Sequence, residues 1–128
     1  MLRYGILMAL CAGALALTVE EQAIYTQHHK DCVETSGVER EILEKAYEGE
    51  VIEDINLKQY FTCFFVKSGF QNENGEMQPA VINSVLPHMT RNADETARTI
   101  IECEGRKLVG KDPADTAFLN FKCYIGAV

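Results

Sequence analysis

Cys32, Cys63, Cys103 and Cys123 are the residues that most restrict how this chain folds. A fifth cysteine, Cys11, sits inside "MLRYGILMALCAGALA", where one positive charge (Arg3) precedes an apolar run and then small residues. Ala14-Leu15-Ala16 fits the small-x-small cleavage site of a secretory signal peptide. The apolar run is shorter than the ~20 residues needed to span a bilayer. Residues 1–16 therefore read as a signal peptide and 17–128 as one mature, secreted domain. The cysteines left after cleavage are even in number, which in a short secreted chain reads as a disulfide framework. Zinc-type C-x₂-C spacing is absent, so no metal is expected. Four cysteines allow three pairings, and spacing alone does not choose among them.

Charge narrows the partners. The formal net charge is −7, and removing Arg3 makes it one unit more negative. Phosphate neutralisation needs clustered Lys and Arg, so no nucleic-acid partner is expected. Attraction to anionic lipid fails for the same reason, and no segment of 17–128 is long and apolar enough for membrane insertion.

Helix starts are legible as capping pairs. Thr18 with Glu21 and Ser36 with Glu39 fit the capping box, in which hydroxyl and carboxylate each satisfy an orphan backbone N–H. Asn92 with Glu95 fits it with an Asn cap. Asp112-Pro113 places a cap before a proline at the first helical position, and Pro79 opens a segment likewise. Asp54 caps the segment holding Cys63. Gly37, Gly49, Gly69 and "NENG" at 72–75 supply stops. About six short helices are expected, over 18–35, 38–48, 54–68, 79–89, 92–106 and 113–124, with no sheet because nothing alternates.

The faces differ in kind. Segment 92–106 is amphipathic, with Ala93, Ala97, Ile100 and Ile101 on one stripe. In segment 54–68, Leu57, Tyr60, Phe61, Phe64, Phe65 and Val66 cover much of the circumference. Such a helix is buried on several sides, so it belongs at the centre of an all-α bundle, with Cys63 fixing it to a neighbour. Pattern alone favours a solid core over a cavity, because interiors are close-packed.

The spacing of the cysteines resembles that of the insect odorant-binding proteins, the pheromone- and general-odorant-binding family. Six-cysteine members carry "LKCYxxC" and "CDxAxxxxxC"; this chain reads "LKQYFTC" and "ADTAFLNFKC". Gln59 stands in the place of the second cysteine and Ala114 in that of the fifth. Those two bond to each other in the family, so both partners of one bridge are missing and every other bridge is intact, as in the four-cysteine "minus-C" subgroup. The resemblance implies the pairs Cys32–Cys63 and Cys103–Cys123, and a compact helical bundle around an apolar cavity.

It also implies a secreted carrier of small hydrophobic molecules, such as odorants or pheromones in olfaction, without cofactor or metal. The walls expected from segment 54–68 are Phe61, Phe65 and Val66, and from 79–89 Val81, Val85 and Met89. Met77 is expected as a pliable gate, because thioethers adapt their shape. Ile100, Phe118 and Phe121 complete the set with Tyr124, which offers one hydrogen bond, and Val128 of the tail. The partners expected are a small apolar ligand and a receptor, with the chain a monomer or weak homodimer. His28, His29 and His88 read as wet surface.

Catalysis is not expected. "HHKDC" is faintly similar to the His-Asp helix of secreted phospholipase A2, but the glycine-rich calcium loop is missing. "QNENGEM" fails as an EF-hand because Phe70 falls at the first ligand position. No phosphate loop or nucleophile motif is present. The competing reading is a secreted helical interaction or signalling protein with a solid core and no internal ligand site.

Overall fold

The computed structural model describes residues 17–127. The expected signal peptide and Val128 lie outside the described residues. Six α-helices follow in order: α1 (Val19–Ser36), α2 (Arg40–Tyr47), α3 (Ile55–Ser68), α4 (Pro79–Val85), α5 (Ala93–Arg106) and α6 (Pro113–Tyr124). A 3₁₀ turn, Leu86–Met89, extends α4. The described residues hold no strand beyond an isolated antiparallel bridge between Gln71 and Met77.

The caps explain most of these boundaries. Thr18 and Glu21 form the reciprocal box, with bonds of 2.8 and 3.0 Å. Asp54, Asn92 and Asp112 each accept a backbone N–H from three residues on. Ser36 does not behave as expected. It is the last residue of α1, and its Oγ accepts from Val38 N at 3.1 Å. Helix α2 therefore starts at Arg40 rather than 38, with Glu39 as a cap that makes no side-chain bond. The end of segment 79–89 also tightens. Pro87 has no N–H to donate, so the i→i−4 ladder stops there and α4 closes as a 3₁₀ turn.

Helix α3 is the hub, lying between α1 and α6. Leu57, Tyr60, Phe61, Phe64 and Phe65 are buried along it. Cys32–Cys63 ties α1 to α3 with the Cα atoms 5.6 Å apart, and Cys103–Cys123 ties α5 to α6 at 6.0 Å. The cysteines of the two bridges are 31 and 20 positions apart in sequence. Restricting loops of that size in the unfolded chain stabilises the fold by about 3–4 kcal/mol each in the chain-entropy account.

His28 and His29 depart from the wet-surface expectation. His29 Nδ1 lies 2.7 Å from Tyr60 Oη, and His28 Nδ1 lies 3.5 Å from Ser68 Oγ. Both rings stand edge-on to aromatic rings of α3. Tyr60 has no exposed surface, and a buried phenol needs a hydrogen-bond partner, which draws the imidazole inward.

Candidate functional site

The site grows from helical spacing. Phe61, Phe64 and Phe65 are three and four residues apart on α3, so their rings share one face. Phe121 and Tyr124 of α6, with Ile125 just past its end, repeat that spacing on the facing helix. Between them lies a cavity of about 290 Å³. Phe70 closes it from the turn after α3, Leu86 and Met89 from the 3₁₀ turn, and Tyr47 from the end of α2. Thr90 and Thr96 complete the wall.

Ring geometry holds these walls. Phe61 and Phe121 stack with centroids 3.8 Å apart and planes at 23°. Tyr47 meets both edge-on, at 6.0 and 5.9 Å. Edge contacts of this kind set the positive rim of one ring against the negative face of another. Phe65 stands between Phe70 at 5.7 Å and Tyr124 at 6.4 Å.

Few polar atoms border the cavity, and most are already engaged. Thr90 and Thr96 hydroxyls lie 2.7 Å apart, and Thr90 also donates to Pro87 O. Tyr47 is half exposed along its outer edge, yet its hydroxyl turns inward to within 3.3 Å of Tyr60 Oη. Burial pushes the Tyr60 phenol far above its ordinary range, and its Tyr47 neighbour adds to the effect. Burial raises Tyr47 as well. Tyr124 is raised by burial first and by the negative charge of Glu104 second. These phenols stay protonated donors. The arrangement offers an apolar guest aromatic surface and one or two hydroxyls, with no charged side chain in the wall.

Clefts open on either side of the cavity. Beyond Tyr47 and Met89 lies a more polar one of about 430 Å³, bordered by His29, Tyr60 and His88. Beyond Tyr124 lies another of about 450 Å³, between the 74–79 turn and the 107–112 loop. Among the described residues no cluster of His, Cys, Asp or Glu is arranged to hold a metal, and no helix is long and apolar enough to cross a membrane.

Of the residues named from sequence, Phe61, Phe65, Met89, Phe121 and Tyr124 come together around the cavity. Met77 borders the outer cleft beyond Tyr124 instead. Val81 and Val85 pack half-buried against the core without reaching the cavity wall. Ile100 and Phe118 are plain core, with Phe118 covered by the ammonium groups of Lys58 and Lys122 at 5.4 and 4.9 Å. Val66 requires a correction: it is 40% exposed, because Phe64 and Phe65 turn inward and the next position on α3 faces solvent. Tyr47, Phe70, Leu86, Thr90, Thr96 and Ile125 were not among the sequence candidates. Phe64 was legible as part of the apolar surface of segment 54–68; Tyr47 and the two threonines carry no local signal.

An all-helical, disulfide-stapled bundle enclosing an aromatic cavity is the class that fold and site define. The sequence model of the PBP/GOBP family matches residues 14–127, and the chain belongs to that family. Among curated proteins it is 25% identical over 118 residues to the B1 protein of Tenebrio molitor, covering 92% of this chain and 88% of the relative. It is 30% identical over 95 residues to odorant-binding protein 10 of Aedes aegypti, covering 73% of this chain and 65% of that one. A crystal structure of an odorant-binding protein from Locusta migratoria superposes with a TM-score of 0.71 at 20% identity, covering 88% of this chain and 84% of its own.

Proposed function

We propose that this protein is a secreted, non-catalytic carrier of small hydrophobic molecules in extracellular fluid, and that it is of the four-cysteine kind within its family. The single observation that carries the reading is the aromatic cavity between α3 and α6, lined by Phe61, Phe65 and Phe121 and free of charged side chains. An apolar guest gains about 25 cal/mol for each Å² removed from water, so burial in such a cavity provides micromolar affinity without ion pairing. Gln59 and Ala114, at the positions of the missing pair, support the subgroup assignment. Odorants and pheromones are the ligand classes proposed, and a receptor is the further contact proposed.

The test is displacement of a fluorescent apolar probe from the mature protein. Aliphatic or aromatic volatiles that release the probe at micromolar concentration support the carrier. A chain that takes up no probe is instead an interaction protein, the reading favoured had the interior been filled.

A further inference from the structure

We infer that Tyr124 is the partition that limits the length of guest the aromatic cavity accepts, an inference that rests on the carrier reading above. Tyr124 ends α6 and borders two hollows at once, the central cavity and the outer cleft. Its ring leans on Phe65 inside the cavity, centroid to centroid 6.4 Å. Its hydroxyl lies in the negative field of Glu104, a residue of the outer cleft. One side chain therefore belongs to the wall of both hollows, with its ring against Phe65.

The volumes give that wall its consequence. The cavity alone, at about 290 Å³, is at the small end of the ~300–1,000 Å³ usual for small-molecule sites. The cleft beyond adds about 450 Å³. Its border includes Met77, Ile82, Leu108 and Val109, so a chain extended past the partition meets apolar side chains. The ligand class that senses this wall is the unbranched aliphatic chain. A short chain ends before Tyr124, and a long one must fold back or stay partly in water.

The test is competition of phenylnaphthylamine by octanol and by tetradecanol, on the native protein and on Tyr124→Ala and Tyr124→Leu. The Leu variant shortens the wall while keeping an apolar contact with Phe65, so it reports even if the Ala variant folds poorly. The expected result is that the affinity ratio of tetradecanol to octanol rises about tenfold over native, the yield of about two further methylenes leaving water. A ratio unchanged in both variants, with the two alcohols gaining or losing together, overturns the partition. Native protein that binds neither alcohol removes the carrier reading itself, and the inference with it.

Discussion

Lys58 Nζ lies 3.5 Å from Asp115 Oδ1, joining α3 to α6 at the residues next to Gln59 and Ala114. Glu53 adds a second carboxylate 3.4 Å from the same ammonium, and Lys122 reaches Glu53 at 3.9 Å. The seam where the resemblance places a missing disulfide is thus crossed by an ionic network over the Phe118 ring.

That adjacency predicts a restorable bridge. In the double variant Gln59→Cys, Ala114→Cys, a third disulfide forms on oxidation and raises the melting temperature. The closed loop is longer than either native one, so the entropic gain is about 4 kcal/mol at most. Peptide mapping by mass spectrometry checks the linkage. Recovery of both new thiols free under oxidising conditions rules out the assignment of the lost pair.

Acid weakens this seam in a defined direction. The backbone N–H of Lys111 holds the Asp115 carboxyl below its usual range, and Lys58 contributes further. A depressed folded-state pKa gives stability that is present above the ordinary carboxylate pKa and is lost as pH falls through the lower folded value. Asp115→Asn therefore lowers the melting temperature by a few degrees at neutral pH, and its deficit shrinks below about pH 4. A deficit that stays constant down to strong acid contradicts the linkage. The Asp115 side chain keeps about 25% of its surface in water, and screening there keeps the effect modest.

Gly110 is held to glycine by close approach. A Cβ there would meet the Cβ and carboxyl group of Asp115, which the Lys111 N–H and the Lys58 ammonium fix in place. Gly110→Ala costs about 1–3 kcal/mol through this overpacking, measured by chemical denaturation. Unchanged stability would show that the 107–112 loop yields freely.

Phe121→Ala removes the ring stacked on Phe61. A loss of about 3–5 kcal/mol is expected, with the cavity enlarged and bulkier guests favoured over compact ones. A full-length guest panel read beside the denaturation curve separates the two effects. Loss of stability with no change in guest preference places Phe121 in the core alone.

Helix number and limits were legible because the signals are local. Asp54, Asn92 and Asp112 cap whatever turn follows them, and Gly69 takes φ +80° to end α3. Ser36 misled because it is the last residue of α1, and its hydroxyl accepts from Val38 N in the connection instead of capping α2. The cavity was legible only by halves. Phe61, Phe65, Phe121 and Tyr124 follow from faces of long helices, while Tyr47 and Thr96 arrive from α2 and α5 by packing alone.

The order of residues by itself determined which turns are helical and which helix sits at the centre, since each depends on neighbours within a few positions. Only the tertiary structure decided that Val66 faces water while Phe64 faces the cavity, that Tyr60 draws His29 inward, and that Tyr124 stands between two hollows. Those outcomes depend on how helices distant in sequence rotate against one another, and that rotation is set by ring-on-ring packing across the whole interior.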